Sequence, residues 1–147
     1  MTAARVYVAA SWRTPVQPYV VERIRQAGLT VYDFRNPPSR AGFGWEQISG
    51  DWKQWTPEQY MKALDHDLAR AGFDSDITAL QQCYACVLLQ PSGRSAALEL
   101  GYAAGMGKRC AVLLAAGQEP ELMLKVAEFM TPHLSELVTW LTSLRGI

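Results

Sequence analysis

Two periods alternate along the chain. Residues 6–10, 29–34, 84–90 and 109–115 are short, nearly continuous apolar runs. Between the first two, Val16, Val20, Ile24 and Ala27 return at helical spacing, with Pro15 and Pro18 acceptable only near that helix's start. Gly28 is placed to end it. Strands that are apolar throughout, rather than on every second residue, belong to a parallel sheet covered on both faces. Strand, helix and strand at these distances form right-handed βαβ units.

The fold class expected is a three-layer α/β sandwich with a four- or five-stranded parallel sheet, flavodoxin-like or Rossmann-like. Ligands of such sheets bind beyond the carboxyl ends of the strands. The middle of the chain breaks the rhythm. Residues 35–55 form a long connection rich in Pro, Gly and Trp, longer than the roughly 12–15 residues usual for unstructured loops. Its aromatics predict an ordered loop, leaving from the carboxyl end of the second strand and overhanging the ligand side. Thr56-Pro57-Glu58-Gln59 reads as a capping box with proline at the first helical position. Tyr60, Leu64, Leu68 and Ala71 then predict one apolar helix face ended by Gly72. A short second helix is expected to open at Ser75-Asp76 and carry Ile77 and Leu80 inward. Residues 122–144 predict two helices separated near Thr131-Pro132, with room for a brief edge strand.

Composition narrows the class. A chain of 147 residues fits one domain, 1–147, that needs neither disulfides nor metal to fold. Lys+Arg and Asp+Glu both number 14, so the net charge is zero, against a nucleic-acid polymer as partner. No run is long enough to cross a membrane. Neither a basic leader nor a long apolar stretch opens the chain, and Cys86 and Cys110 sit in apolar strand runs like buried free thiols; a cytoplasmic location is expected. Cys83 and Cys86 have redox-motif spacing, but they lead into a strand rather than opening a helix. His66 and His133 lack nearby second ligands, so neither metal nor cofactor is expected. Lys108 and Arg109 read as a favourable end to the preceding helix.

The chemistry concentrates after the third strand, in Pro91-Ser92-Gly93-Arg94-Ser95-Ala96-Ala97-Leu98-Glu99. A strand, a polar turn and a helix start together make an anion site, to which Ser92, Arg94 and Ser95 add donors suited to phosphate or sugar hydroxyls. The plain alternative is a βα turn with a serine cap. The segment is neither a P-loop nor Gly-x-Gly-x-x-Gly. Glu99 stands among Ala, Leu, Gly and Tyr, where a carboxylate is partly desolvated, and the helix's positive end is expected to keep it ionised. Such a group is a reasonable nucleophile for an anomeric carbon; it could equally serve the helix dipole.

Glu99-Leu-Gly-Tyr-Ala, followed by Gly107-Lys108, resembles the nucleophile helix of the nucleoside 2-deoxyribosyltransferases and of the related 2′-deoxynucleoside 5′-monophosphate N-glycosidases. Val6-Tyr7-Val8-Ala9-Ala10-Ser11-Trp12 is similar to that superfamily's first strand and turn, and the likeness runs over roughly residues 4–116. The resemblance implies that Glu99 attacks C1′ of a deoxyribosyl group, that Tyr7 orients Glu99, and that Asp76 donates or relays a proton to the departing base. It also implies a small nucleoside or nucleotide substrate and a homo-oligomer in which a neighbour completes the site. Read from the residues alone, Asp76 needs no role beyond a helix start, and Tyr7 could be a packed aromatic.

The departures are informative. The transferases carry an acidic residue six positions before the nucleophile; here that residue is Gly93. The monophosphate N-glycosidases hold a 5′-phosphate with small polar residues in this loop. Ser92, Arg94 and Ser95 suit that role, with Ser11, Trp12 and Arg13 of the first turn beside them. Tyr84 replaces an acidic residue often found before the third strand. Loop 35–55 has no clear counterpart; Trp45, Trp52 or Trp55 could stack on a base or form a minicore that ties the loop down. The main alternative to an enzyme is a non-catalytic nucleotide-binding or signal-sensing module on the same fold.

Overall fold

The structure, a computed structural model, describes residues 5–144. Five strands, β1 (Val6–Ala9), β2 (Val31–Asp33), β3 (Ala85–Leu89), β4 (Arg109–Leu113) and β5 (Phe129–Thr131), form one sheet in the order β2-β1-β3-β4-β5. Every neighbouring pair is parallel. This is the flavodoxin-like doubly wound order, with its topological switch point between β1 and β3. β1, β3 and most of β4 are buried on both faces, as their unbroken apolar runs require.

Helices α1 (Gln17–Gln26) and α5 (Leu134–Ser143) pack together on one side of the sheet. Helix α4 (Arg94–Gly105) crosses β1, β3 and β4 on the other, where the right-handed β3-α4-β4 crossover must place it. Gly28 ends α1 as expected: at φ 88° it lets its own amide reach the Arg25 carbonyl at 2.9 Å and the Leu29 amide reach that of Ile24 at 3.4 Å. After β4, the first of the two expected C-terminal helices is only a 3-10 turn, Leu122–Val126, and the edge strand is β5. Arg109 opens β4 rather than finishing α4. Its guanidinium meets the Glu128 carboxylate at 2.6 and 2.8 Å, which holds that carboxyl below its ordinary range. Cys83, Cys86 and Cys110 are free, buried thiols; burial pushes Cys83 and Cys110 to about 11 and also raises Cys86, so thiolate chemistry is disfavoured at neutral pH. Among the described residues no helix is long and apolar enough to cross a membrane.

The chain divides into two compact units, one comprising the sheet with α1, α4 and α5, the other Phe34–Thr78. In the second unit the long connection is ordered by two 3-10 turns, Trp45–Gln47 and Trp52–Gln54. Trp45 is edge-on to Phe43, Trp55 and Tyr60, with ring centroids 4.9, 5.7 and 5.9 Å apart. That cluster is the tie-down arrangement, one of the two roles open to the tryptophans, for Trp45 and Trp55; Trp52 instead lies under the Lys53 ammonium, 5.5 Å from its ring centroid. The Thr56 capping box forms and starts α2 (Pro57–Leu64).

The helix boundaries beyond it differ from the sequence reading. The chain breaks at Asp65-His66, where His66 Nδ1 accepts the Leu68 amide at 3.1 Å and so caps α3 (Asp67–Gln82). Tyr60, Leu64, Leu68 and Ala71 are exposed, whereas Ala63, Ala69 and Gly72 are buried; Leu80 is buried as expected and Ile77 half-buried. Gly72 does not end a helix. It lies within α3, where Phe43 packs against it: a Cβ added there would sit 3.1 Å from that of Phe43. No helix starts at Ser75-Asp76 either, since both lie inside α3. Replacing Gly72 with Val should therefore destabilise the protein by about 1–3 kcal/mol, the usual cost of overpacking. Urea unfolding measures this; an unchanged midpoint would show that Phe43 does not hold that contact.

Candidate active site

The register of the sheet builds the centre of the site. Tyr32, Tyr7, Cys86 and Cys110 are successive cross-strand partners on β2, β1, β3 and β4, so their side chains share one face. Tyr7 is fully buried, and its ring stacks on Tyr32 with centroids 5.2 Å apart. Packed this way the phenol has little freedom, and its hydroxyl donates to Glu99 Oε2 on α4. Leu100 and Ala103 of α4 are buried beside it, which fixes the helix rotation that presents Glu99 to Tyr7. The two residues expected to act together are thus in direct contact.

Burial pushes the Glu99 carboxyl from 4.5 up to about 8. This corrects the expectation of an ionised carboxylate. Desolvation outweighs the helix N-terminus, and the acid form prevails at neutral pH in the free protein. The Tyr7 hydroxyl works the other way, because a donor to a carboxylate stabilises its charged form.

Two turns flank this pair at the switch point. In the first, after β1, the Thr14 amide donates to the Ser11 carbonyl (3.0 Å) and the Arg13 amide to Ser11 Oγ (3.1 Å). Trp12 and Arg13 are exposed and Ser11 half-buried. In the second, after β3, a cis bond joins Gln90 to Pro91, and Gly93 takes the N-cap position of α4. No side chain caps this helix, so the serine-cap reading does not hold: Ser95 is already helical, and Ser92 lies before the cap. The first amides of α4 have no acceptor within the helix, which is the arrangement that favours an anion. Ser92, Arg94 and Ser95 are exposed around it. The turns touch: a Cβ on Gly93 would lie 3.8 Å from Ser11 Cβ and 3.9 Å from its Oγ.

The structure thus gathers Tyr7, Glu99, Ser11, Trp12, Arg13, Ser92, Gly93, Arg94 and Ser95 along the carboxyl ends of β1 and β3. Asp76 and Trp45 belong to the second unit, Asp76 half-buried within α3 and Trp45 at the hub of its aromatic cluster. Two buried polar residues next to the site were not foreseen. Thr14 is fully buried, and Gln17 donates from Nε2 to Asp33 Oδ1 at 2.7 Å at the end of β2. The signal for Gln17 is its place at helical spacing from Val20, Val21 and Ile24, a polar residue on the inward face of α1. Among the described residues no group of three or more His, Cys, Asp or Glu could hold a metal ion.

The fold is shared with solved structures of known activity. One is a 2-deoxyribosyltransferase from the psychrotolerant bacterium Bacillus psychrosaccharolyticus, at TM-score 0.63 and 19% identity over 92% of this chain and 90% of that one. Another is the Clostridium botulinum CMP N-glycosidase BcmB, at TM-score 0.50 and 17% identity over 94% of this chain and 98% of that one. No protein-family profile and no curated protein sequence matches the chain. The class defined by fold and site is a flavodoxin-like α/β protein with a half-buried carboxyl and a two-turn polar rim at its switch point.

The raised Glu99 carboxyl has a consequence for stability. Between about 4.5 and 8 the folded protein keeps a proton that the unfolded chain has released, so wild-type stability falls as pH rises through that window. At about 1.4 kcal/mol per pKa unit, the loss is on the order of a few kcal/mol. Glu99→Gln, which cannot ionise, should lack it. Chemical unfolding at pH 5 and pH 9 measures the difference; equal pH slopes for the two proteins would show that Glu99 is not desolvated.

Proposed function

We propose that this protein cleaves or transfers the N-glycosidic bond of a deoxynucleotide or deoxynucleoside, with a preference for a 5′-monophosphate. The observation that carries the reading is the contact of the buried Tyr7 with the half-buried Glu99, beside an uncapped helix start. The fold shared with a deoxyribosyltransferase and a CMP N-glycosidase supports it. A Glu99 carboxylate attacks C1′; the C1′–N bond breaks, and its electron pair leaves with the base. Asp76 supplies or relays the proton the base takes up. The glycosyl ester on Glu99 is then opened by water, giving hydrolysis, or by a second base, giving transfer. This is the two-carboxyl logic of retaining glycosidases. Tyr7 holds the attacking oxygen in line and steadies its charge.

Gly93 supports the phosphate preference. An acidic side chain there would set a negative charge beside Ser11 and the first amides of α4, favouring a sugar hydroxyl over a phosphate. Ser92, Arg94, Ser95, Ser11 and Arg13 are the proposed phosphate donors, and Trp12 lies among them. A homo-oligomer belongs to the same proposal, supported by the exposed apolar residues Leu98 and Tyr102 on α4 and Met106 at its C-cap.

A panel of deoxynucleosides and their 5′-monophosphates, read as released base, tests the reading. The monophosphates should turn over faster, and Glu99→Ala should abolish release. If nothing turns over while a ligand still raises the melting temperature of wild type and Glu99→Gln alike, the protein is a binding module. Because the attacking form is the ionised one, kcat/KM of Asp76→Asn, in which Glu99 is the titrating carboxyl of the pair, should climb about tenfold per pH unit below about 8 and level off above it. A profile flat from pH 6 to 9 would exclude Glu99 as the nucleophile. Gly93→Asp should lose activity on the monophosphate and keep that on the nucleoside.

A further inference from the structure

The two turns at the switch point come from segments far apart in sequence, and one buried side chain ties them. Thr14 Oγ1 accepts the Ser11 amide at 2.9 Å and donates to the Pro91 carbonyl at 2.6 Å. A hydroxyl is one of the few groups that can accept from one turn and donate to the other through a single atom. Thr14 has no exposed surface, so water cannot substitute for either bond. The contact of Ser11 with the Gly93 position lies alongside this tie.

We infer that Thr14 is a positioning residue for phosphate recognition: its hydroxyl holds the Ser11–Arg13 turn and the Pro91–Ser95 turn in register so that both act on one phosphate group. The inference rests on the proposed function for its substrate, but not for its geometry. Phosphate is tetrahedral, and donors from two turns grip it together only if their spacing is fixed; each misplaced donor weakens binding without altering the reacting carbon. Thr14 touches neither Tyr7 nor Glu99 through these bonds, so it acts on binding rather than on the bond-breaking step.

Thr14→Val keeps the shape and removes the hydroxyl, and Thr14→Ser keeps the hydroxyl. In Thr14→Val the KM for the 5′-monophosphate should rise about tenfold or more, the effect of roughly one net hydrogen bond, with kcat nearly unchanged. The KM for the unphosphorylated nucleoside should not move, and Thr14→Ser should return the monophosphate KM toward the wild-type value. Amide exchange at Ser11 should quicken in Thr14→Val alone. Equal loss on both substrates would mean that Thr14 only supports the fold, and overturns the inference. So would wild-type KM and exchange in Thr14→Val. If the wild-type protein turns over nothing, the proposed function fails and the tie is judged with inorganic phosphate. Phosphate should then shift the Ser92–Ala96 amide resonances in wild type and Thr14→Ser but not in Thr14→Val. The same shift in all three, or none in wild type, overturns it.

Discussion

A hydrogen bond between a phenol on the first strand and a carboxyl on the helix after the third fixes the geometry of this molecule's polar centre. Tyr7 and Glu99 lie 92 positions apart in the chain, and they meet only because β1 and β3 are neighbours in a parallel sheet. The strands' uniformly apolar composition makes that neighbourhood stable, since each must be covered on both faces. The same adjacency puts the turn after β1 beside the turn after β3. A carboxyl, its donor and a polar rim therefore follow from one choice of strand order.

Two opposed effects act on Glu99. Burial favours its neutral form, while the Tyr7 hydroxyl and the α4 N-terminus favour its charge. Burial prevails in the free protein. A carboxylate held with little solvent around it is a stronger nucleophile when it does ionise, and the phenol keeps one oxygen aimed. The cost of such a group is offset by the packing of the sheet, whose inner strands β1 and β3 are buried throughout.

Much of this was legible in the sequence, and the reasons are specific. The strands at 6–10, 84–90 and 109–115 announced a parallel sheet because buried strands leave no polar positions. Gly28 and the Thr56 capping box were visible because their signals are local. The apolar face at 60–71 was misread because Tyr60, Leu64 and Leu68 are exposed while the small residues Ala63, Ala69 and Gly72 are buried; Leu80, further on, is buried as expected. The close approach of Phe43 to Gly72 is a tertiary contact that no local pattern encodes. Glu99 stood out as a carboxylate among apolar neighbours, but its protonation could not be read from the helix alone: it depends on how completely the helix is packed. Thr14 was invisible for a similar reason, as a threonine in a turn says nothing until the partner turn is known.

The central claim is that the half-buried Glu99 carboxyl bonds covalently to a sugar carbon. Intact-mass and peptide mass spectrometry can test it, using a 2′-deoxy-2′-fluoroarabinosyl nucleoside 5′-monophosphate, whose fluorine slows loss of the glycosyl-enzyme. The account predicts a mass gain equal to one fluoroarabinosyl phosphate group, on the peptide containing Glu99, with release of free base. Base released without any adduct, or an adduct on another residue, would contradict it.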